Sequence, residues 1–513
     1  MSRGGMTESI LFTDLYQLTM AQLYFRRGMH DTPAQFEYFF RETPDYGGHQ
    51  AGYCVFAGLA ELLDFVAEVR VSDEEVAALR ELRTGGGDRL FGDDFLTWLR
   101  TSGGFDALTL TAVREGRVVH PGTPLVVAQG PLAQVQLLET ALLNKLNFPT
   151  LVATKASRLK RAARGAPVFE MGMRRGQGSG VNVAARAAMI GGVDASSNTG
   201  ASLSVGVPPV GTHAHSMVQA FIAAGGSEID AFRAYAETYP DNCLLLVDTV
   251  DTLTSGLPNA IEVFEELRTR GHEPVGIRLD SGDLAYLAIL CARELDRAGF
   301  GNASITLSNQ LDELTIWQVL TQIDEEAGEY GVEPGRLAAR LRYGVGTQLI
   351  VSGGAPALDG VFKLVAVSDG ATWRPAMKLS DSPGKVTNPG EKSLYRIYDE
   401  RGMATADVVA QKGEELTAGE PVRLYHPGEP DRNRLLPAER VSRIEPLLED
   451  VWVEGRRTSE RESLADLRKR RAADEALLDL GVLRLLNPHI YHVSLSAALW
   501  RLKRELTASA RVA

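Results

Sequence analysis

The sequence predicts the fold class α/β plus α+β, with an α/β unit between two segments that together form an α+β unit. A length of 513 residues exceeds what one ordinary hydrophobic core accommodates. Near Pro167 short apolar runs begin to alternate with helical segments, as in parallel βα units, and this rhythm stops after Asp369. We therefore expect a discontinuous α+β domain at 1–165 with 370–436, an irregular TIM-like α/β barrel at 166–369, and a charged helical C-terminal extension at 437–513.

Composition limits the partners and the compartment that the chain is expected to have. Apolar residues make up 44% and charged residues 23%, and the net charge of −12 argues against nucleic acid or an acidic membrane as partner. No run approaches the ~18 apolar residues of a membrane span, and the opening MSRGGMTES lacks a signal-peptide core. Cys54, Cys243 and Cys291 lack the spacing of a metal site or disulfide framework. A cytoplasmic protein without a protein-bound metal is expected.

The first 165 residues mix strands and helices without a βα rhythm, which favours an α+β arrangement. Thr13 is placed to cap a helix that is apolar on one face, and Ser72 with Glu75 forms a capping box. Further strands are expected at 35–40, 108–113 and 118–128, and further helices at 59–66, 132–146 and 151–163. Beyond Asp369, strands at 394–398 and 406–410 return to the sheet of this domain.

The central segment places polar residues directly after its predicted strands. These strands are 168–171, 192–196, 244–248, 275–279, 304–307, 343–345 and 361–367. The polar or glycine residues that follow them are Arg174-Arg175, Ser197-Asn198, Thr249, Asp280-Ser281-Gly282, Ser308-Asn309 and Gly346-Thr347. Barrel enzymes carry their active sites at the C-terminal ends of the strands. The series therefore predicts the rim of an active site.

The stretch 207–221, V-P-P-V-G-T-H-A-H-S-M-V-Q-A-F, places two histidines before a helix. Its prolines and Gly211 break regular structure, and Thr212 is placed to cap the helix that follows. His213 and His215 then lie at a helix N-terminus, where unpaired N–H groups and the helix dipole favour anions. An imidazole there can accept a phosphoryl group. The alternative is that both are ordinary surface or capping histidines.

The stretch I-R-L-D-S-G-D at 277–283 delivers Arg278 and Asp280 to the same side of a strand, two residues apart. Such a pair suits the binding of a carboxylate or phosphate by the guanidinium, while the carboxylate binds ribose hydroxyls or a developing cation. Asp283 is placed to cap the next helix. The alternative is a structural Arg–Asp salt bridge at a strand end.

Two glycine-rich turns are candidates for phosphate binding. Gly346-Thr347 ends the G-V-G-T stretch, and Gly353-Gly354 follows Ser352. Backbone N–H groups of such turns cradle phosphate, although the pattern alone is a weak signal. Lys363 and Lys378 either reach phosphate or are ordinary exposed lysines.

Two other classes of function stay open from the residues alone. An H-x-H pair after a barrel strand is a known metal-hydrolase ligand pair, but its further histidine ligands are missing, since His272 precedes a strand. A degenerate barrel that acts as a ligand-binding regulator is the non-enzymatic alternative. Its signature would be loss of His215, Arg278 or Thr347, and all three are present.

Together these stretches resemble the nicotinate phosphoribosyltransferase family, over roughly residues 10–400. The matching pieces are T-D-L-Y-Q-L-T-M at Thr13, F-E-Y-F-F-R at Phe36, G-Y-C-V-F-A-G-L at Gly52, R-R-G-Q-G at Arg174, S-S-N at Ser196, G-T-H-A-H-S at Gly211, R-L-D-S-G-D at Arg278 and G-V-G-T at Gly344. The resemblance implies a discontinuous α+β domain joined to an irregular α/β barrel. It also implies that nicotinate is joined to phosphoribosyl pyrophosphate, with release of pyrophosphate and inversion, coupled to ATP hydrolysis through a phosphohistidine.

The resemblance also implies roles for particular residues. His215 would be the phosphohistidine, and Asp280 would contact ribose or stabilise the oxocarbenium-like transition state. Magnesium would ride on the pyrophosphate oxygens or on ATP. Tyr16 would stack on the pyridine ring, reaching the site of the partner subunit in a homodimer with shared active sites. The nicotinate-binding residues would be Thr212, Arg278, Arg174, Arg175 and Ser197, and the phosphate-binding residues Ser308, Asn309, Gly346, Thr347, Gly353 and Gly354.

Nicotinamide phosphoribosyltransferase is the nearest rival, because it shares R-x-D-S-G-D and a phosphorylatable histidine. An Asp that recognises the amide in that family falls where this chain has Ser197. A neutral residue there leaves Arg278 uncompensated for a carboxylate, so nicotinate is the expected base. Met173 and Gly176 depart from the L-R-R-A that the resemblance leads us to expect, which concerns the local loop conformation rather than the chemistry.

Overall fold

The described residues of this computed structural model, 8–379, 386–429 and 431–510, belong to two units. One unit is Met1–Leu151 with Ala357–Ala513, and the other is Val152–Pro356. The middle unit therefore begins and ends earlier than the predicted 166–369. It ends earlier because the last predicted strand, observed as Gly360–Ser368, pairs antiparallel with Pro33–Phe40 of the first unit. The start of the N-terminal stretch on which the signal-peptide expectation rests lies outside the described residues.

The discontinuous unit contains most of the strands. They are β1 (Pro33–Phe40), β2 (Cys54–Val55), β3 (Thr109–Val113), β4 (Val118–Val119), β5 (Val126–Pro131), β12 (Gly360–Ser368), β13 (Trp373–Pro375), β14 (Lys392–Tyr398), β15 (Ala404–Gln411), β16 (Val422–Tyr425), β17 (Asn433–Leu436), β18 (Arg443–Pro446), β19 (Leu448–Val453), β20 (Arg456–Arg457) and β21 (His492–Leu495). Its helices are α1 (Leu15–Arg26), α2 (Leu59–Glu68), α3 (Asp73–Arg80), α4 (Asp93–Ser102), α5 (Leu132–Leu137), α16 (Leu464–Ala476) and α17 (Ala497–Ala510); α6 (Glu139–Ala162) runs on into the second unit.

Two larger sheets organise this unit. One has the order β13-β12-β1-β5-β3-β19-β20 and is antiparallel, and the other has the order β17-β16-β21-β15-β14-β18. The aromatic strand β1 lies inside the first sheet, and its Phe36, Tyr38 and Phe40 are buried in one hydrophobic core with residues of α2, α4 and α6. The strand predicted from the alternation at 35–40 is confirmed.

The C-terminal segment differs from the predicted charged helical extension. Between Pro437 and Val453 the chain forms β18 and β19, and β21 follows α16. Val451 and Trp452 are buried in the core although the segment is rich in charge. Pairing with β3 and β14 decides the structure here, and such long-range pairing is not visible in local composition.

Helix α6 also departs from the prediction, which broke the helix before residue 151. The helix continues through Pro149. It packs closely on Gly58, where a Cβ atom would lie 2.0 Å from the Lys145 carbonyl oxygen and where φ is +99°. Glycine is thus required at the start of α2, on both steric and conformational grounds.

The local capping predictions have mixed outcomes. The Ser72–Glu75 capping box is confirmed, and Asp283 caps its helix by accepting a hydrogen bond from the Tyr286 N–H. Thr13 is not the cap of α1, because Asp14 takes that position without a side-chain bond to the helix.

The second unit is an α/β arrangement around one parallel sheet. Its strands are β6 (Val168–Glu170), β7 (Ala195–Ser196), β8 (Leu244–Leu246), β9 (Gly276–Leu279), β10 (Ser304–Ser308) and β11 (Leu341–Val345). Its helices are α7 (Gly180–Ile190), α8 (Thr199–Ser204), α9 (His215–Ala223), α10 (Glu228–Thr238), α11 (Leu257–Thr269), α12 (Leu284–Arg297), α13 (Glu313–Glu326), α14 (Pro334–Arg340) and α15 (Thr347–Ile350).

The sheet order is β7-β6-β11-β10-β9-β8, and all neighbours are parallel. The parallel α/β expectation is confirmed, but a closed barrel is not seen, since no ladder joins β7 to β8 in the part of the chain that is described. These two edge strands have two and three residues, which leaves little backbone for pairing. Within the described ranges, no helix combines the length and apolar character needed to cross a bilayer.

Glu445 in β18 gives the discontinuous unit an acid-sensitive contact. It accepts hydrogen bonds from Arg117 Nη1 at 2.7 Å and from the Tyr398 hydroxyl at 2.5 Å. Although burial opposes the shift, these contacts lower the pKa of Glu445 to about 2. Because the folded-state pKa lies below the unfolded value, the stabilisation is present at neutral pH and is lost as the pH falls toward 2.

We therefore expect Glu445→Gln to lower the free energy of unfolding by about 3 kcal/mol near neutral pH, and by less as the solution is acidified. Urea denaturation at a series of pH values measures this difference. Glu449→Gln is the matched control, because its ion pair with Arg114 is half exposed. A Glu445→Gln deficit that does not shrink in acid would contradict the assignment.

Candidate active site

The C-terminal ends of the parallel strands bring most of the predicted site residues to one edge of the sheet. Arg278 lies in β9, and Ser308 is the last residue of β10, whose in-register pairing Leu307 with Leu279 sets Ser308 beside the end of β9. Gly346 and Thr347 follow β11. Parallel strands end at the same edge, so the polar series noted in the sequence converges there.

Arg278, Asp280 and Ser308 form a closed hydrogen-bonded group. Arg278 donates from Nη2 to Asp280 Oδ1 at 3.0 Å and from Nε to Ser308 Oγ at 2.8 Å. The Ser308 hydroxyl donates to Asp280 Oδ1 at 2.5 Å. Partial burial would raise the pKa of Asp280, but the Ser308 bond and the Arg278 charge lower it. A fixed guanidinium and an ionised carboxylate therefore stand side by side.

This pairing corrects one expectation. Arg278 was expected to be uncompensated for a substrate carboxylate, but Asp280 already balances part of its charge because both side chains leave the strand on the same side. No hydrogen bond from Nη1 of Arg278 occurs within the described residues. That nitrogen is the part of the guanidinium that remains for a ligand.

His215 is the first residue of α9. The helix begins after Ala214, without a side-chain cap, so the prediction that Thr212 caps it is wrong. Ala214 occupies the N-cap position instead. The Thr212 hydroxyl lies 3.5 Å from the His213 carbonyl oxygen. An uncapped nine-residue helix leaves N–H groups at its start that favour an anion.

Acidic groups surround the His215 ring. Its Nδ1 lies 3.1 Å from Thr249 Oγ1, and its Nε2 lies 3.7 Å from Asp280 Oδ2 and 3.9 Å from Asp248 Oδ1. This Asp248 oxygen is buried and has no hydrogen-bond partner in the described residues. Both carboxylates are thus placed to stabilise positive charge on the imidazole.

Asp248 is a site residue that the sequence analysis did not select. Its Oδ2 accepts hydrogen bonds from the Asp280 N–H at 3.0 Å and from the Ser281 hydroxyl at 2.5 Å. The carboxylate therefore holds the turn after β9 against the end of β8. The sequence contains a pattern that could have indicated it, because Asp248 directly follows an apolar run and precedes Thr249.

His213 contacts the end of β8 and the side chain of Tyr235. Its Nε2 accepts a hydrogen bond from the Leu246 N–H at 3.1 Å, and its ring lies against Tyr235. Burial, with the nearby charge of Arg278, lowers the pKa of His213 to about 4. Nε2 is therefore engaged with a strand amide, whereas Nδ1 is buried and has no hydrogen-bond partner within the described residues. In the described residues, no three His, Cys, Asp or Glu side chains are placed to hold a metal ion.

Glu170, at the end of β6, is a second residue that the sequence analysis missed. It is 0% exposed, and its carboxylate accepts hydrogen bonds from the Ser196 hydroxyl at 2.5 Å and from the Gly172 N–H. Its carbonyl oxygen accepts a bond from the Ser197 N–H at 2.8 Å. Burial raises the pKa of Glu170, although the hydrogen bonds from Ser196 and Gly172 oppose this shift. Glu170 thus joins the loop after β6 to the turn that carries Ser197.

The loop after β6 presents Arg174 and Arg175. Both lie in the short 3₁₀ turn Met173–Arg175 and are exposed. Gly172 packs on the turn after β11, since a Cβ atom there would lie 2.6 Å from the Gly346 carbonyl oxygen. The arginine loop and the Gly346 turn are therefore in direct backbone contact.

The predicted phosphate residues divide into two groups. Asn309 adopts φ +93°, which is unusual for a residue with a side chain, and it follows Ser308 at the strand edge with Gly346 and Thr347. The Gly353 N–H, by contrast, donates to the Gln348 carbonyl oxygen at 2.8 Å. Gly354, with φ +90°, continues this turn. The Gly353 amide is thus already engaged.

Tyr16, Lys363 and Lys378 belong to the other unit. Tyr16 lies on α1 and is 50% exposed, as are Leu15 and Leu23 at similar levels. Lys363 in β12 has its Nζ 3.5 Å from Glu139 Oε1, and Lys378 is exposed. The stacking role of Tyr16 in a partner subunit stays a prediction.

The chain matches one enzyme family throughout. Residues 11–147 match the family model of the nicotinate phosphoribosyltransferase (NAPRTase) N-terminal domain, and residues 391–503 match that of its C-terminal domain. Identity to the nicotinate phosphoribosyltransferase of Bacillus subtilis is 38% over 420 residues, covering 81% of this chain and 79% of the relative. Identity to nicotinate phosphoribosyltransferase 2 of Arabidopsis thaliana is 34% over 550 residues, covering 96% and 92%.

Solved structures agree with these matches. The crystal structure of human nicotinic acid phosphoribosyltransferase superposes with a TM-score of 0.79 at 31% identity, covering 97% of this chain and 100% of that one. Nicotinate-nucleotide pyrophosphorylase from Pyrococcus furiosus superposes with a TM-score of 0.66 at 20% identity, covering 93% and 97%, which shows a shared fold.

Proposed function

Because this chain belongs to the nicotinate phosphoribosyltransferase family, we propose that it joins nicotinate to the ribosyl carbon of phosphoribosyl pyrophosphate. The pyridine nitrogen forms a bond to C1 of the ribose as the bond from C1 to the pyrophosphate oxygen breaks, with inversion, giving nicotinate mononucleotide and pyrophosphate. The observation that carries this proposal is the group Arg278–Asp280–Ser308 beside His215, at the edge where the parallel strands end.

Each member of the group has a task in this reaction. Nη1 of Arg278 would bind the nicotinate carboxylate together with Thr212. Arg174 and Arg175 would lie near the pyridine ring. Asp280, kept ionised by its neighbours, would stabilise the positive charge that develops on the ribosyl ring. Ser308, Asn309, Gly346 and Thr347 would bind the 5′-phosphate. The Gly353-Gly354 turn would contribute less to phosphate binding than predicted, because the Gly353 N–H already donates to the Gln348 carbonyl oxygen.

We further propose that ATP drives the reaction through His215. The contact between Nδ1 and Thr249 leaves Nε2 as the nucleophile. Nε2 forms a bond to the γ-phosphorus while the bond to the ADP oxygen breaks, and later hydrolysis returns free histidine and phosphate. Asp248 and Asp280 near Nε2 would stabilise the cationic ring that forms during transfer.

The remaining partners follow from the same reaction. Magnesium would arrive bound to pyrophosphate or ATP. Mg²⁺ commonly takes one or two carboxylates together with substrate phosphates, and Asp248 and Asp280 would supply these carboxylates. The exposed Tyr16 on α1 supports a homodimer with shared active sites, in which it stacks on the base bound by the partner. The protein is also proposed to be cytoplasmic. Its parallel sheet is proposed to be part of an irregular barrel.

One assay tests the reaction and the base together. Mononucleotide formation from phosphoribosyl pyrophosphate is measured with nicotinate and with nicotinamide, each with and without ATP. We expect ATP-stimulated product from nicotinate alone. Product from nicotinamide instead would overturn the choice of base, and no product from either would reject the transferase.

Ser197→Asp is expected to lower kcat/KM for nicotinate relative to nicotinamide by about tenfold, because a carboxylate beside the base repels that of nicotinate and accepts the amide N–H of nicotinamide. Competition between the two bases in one reaction measures the ratio. Ser197→Asn, which adds the same bulk without charge, is the control. An unchanged ratio in Ser197→Asp would remove Ser197 from base selection.

A further inference from the structure

The discontinuous unit contains a cavity of about 430 Å³. This volume lies within the range of small-molecule sites. Four of the nine histidines of the chain line it, namely His120, His426, His489 and His492. We call it the histidine cavity. All its lining residues belong to this unit, and none belongs to the Arg278 group.

His120 is a polar side chain left without partners in the cavity wall. It is 1% exposed, and neither ring nitrogen has a hydrogen-bond partner within the described residues. The ring stacks on Tyr491 with a centroid distance of 3.7 Å. Burial lowers the pKa of His120 to about 3, so the ring is neutral and offers one donor and one acceptor. Buried polar groups are nearly always satisfied, which points to a bound molecule that completes these bonds.

Lys503 supplies a positive charge to the same wall. Its ammonium donates to Asn388 Oδ1 at 2.9 Å and to the Pro427 carbonyl oxygen at 3.1 Å, which leaves one of its three N–H donors. Among the described residues no carboxylate forms an ion pair with it. Burial, with Lys392 as a second cause, lowers the pKa of Lys503 to about 8, and an anion in the cavity would oppose this loss of charge.

The rest of the wall favours an organic anion over a cation. Glu37 is neutralised by Lys392, whose Nζ lies 2.8 Å from Glu37 Oε1, and Glu42 is exposed to solvent. The surrounding surface includes the apolar side chains of Phe39 and Ile490. A cation would therefore find no unpaired buried carboxylate, whereas an aromatic body with an acidic group would match both the apolar surface and Lys503.

We propose that the histidine cavity binds a small aromatic organic anion, whose carboxylate or phosphate group contacts Lys503 and whose polar ring atom or acidic oxygen bonds to His120. This site is additional to the one at the parallel sheet. It binds whether or not the transferase assignment holds, because it uses a different set of residues.

The probes 4-bromophenyl phosphate and 4-bromobenzoate test the proposal on the full chain. Bromine anomalous scattering from soaked crystals shows where each probe binds, and calorimetry measures its affinity, with 4-bromobenzyl alcohol as the neutral control. We expect at least one anionic probe in the histidine cavity and no binding of the alcohol. If only 4-bromophenyl phosphate binds, the ligand of the cavity is a phosphate ester. If only 4-bromobenzoate binds, it is a carboxylate.

Substitutions tie the binding to the two residues. Lys503→Met is expected to weaken the probe about tenfold or more, Lys503→Arg to retain most affinity, and His120→Phe to weaken binding while keeping the stacked ring. Lys412→Met is the matched control, because Lys412 is an exposed lysine of the same unit that is paired with Glu391. Bromine absent from the cavity, or binding that is indifferent to both Lys503→Met and His120→Phe in folded protein, would overturn the proposal.

Discussion

Arg278→Ala is expected to raise the KM for nicotinate about tenfold to a hundredfold, because the substrate carboxylate loses its charged hydrogen-bond partner. The same change removes two bonds that hold Asp280 and Ser308 in place, so we also expect kcat to fall. Initial rates over a range of nicotinate concentrations at saturating phosphoribosyl pyrophosphate separate the two effects. The KM for phosphoribosyl pyrophosphate should change less.

Two further variants sharpen this prediction. Arg278→Lys keeps the charge but cannot bridge Asp280, Ser308 and a carboxylate at once, so partial recovery of KM is expected. Arg293→Ala is the control, since Arg293 lies on α12 and pairs with Glu294. A nicotinate KM that is unchanged in Arg278→Ala would remove Arg278 from the base site.

The position of this arginine was predictable because strand geometry is local. Alternation puts residues two apart on the same face, and parallel strands end at one edge, so Arg278, Asp280 and Ser308 could be expected to meet. Their contacts add what the sequence could not supply. The guanidinium is shared between a carboxylate and a hydroxyl, which decides how much of it is left for substrate.

Other parts of the site depend on contacts between strands that are distant in the chain. Glu170 gives no sign in the sequence that its carboxylate will be buried against Ser196, because the pairing of β6 with β7 creates that contact. The bond from the Leu246 N–H to Nε2 of His213 likewise depends on β8 and gives no sign in the local sequence. The C-terminal strands were missed for the same reason, since partners far away in sequence override a charged local composition.

His215→Ala is expected to abolish phosphoenzyme formation and ATP stimulation, while slow ATP-independent turnover remains, because the groups that bind the base and ribose are still in place. Incubation with γ-labelled ATP followed by alkaline gel separation detects the acid-labile phosphohistidine. Asp248→Asn should reduce labelling without abolishing it, since it weakens the stabilisation of the cationic ring but leaves Nε2 as nucleophile.

His272→Ala is the matched control, because His272 is a second histidine of the same unit whose Nδ1 lies 2.7 Å from Asp241, on the chain before β9 rather than after it. It should label and respond to ATP normally. Labelling that persists in His215→Ala but disappears in His213→Ala would move the phosphoryl group to the neighbouring ring. In that case Nδ1 of His213 would be the acceptor, because Nε2 is bonded to the Leu246 N–H whereas Nδ1 has no hydrogen-bond partner within the described residues.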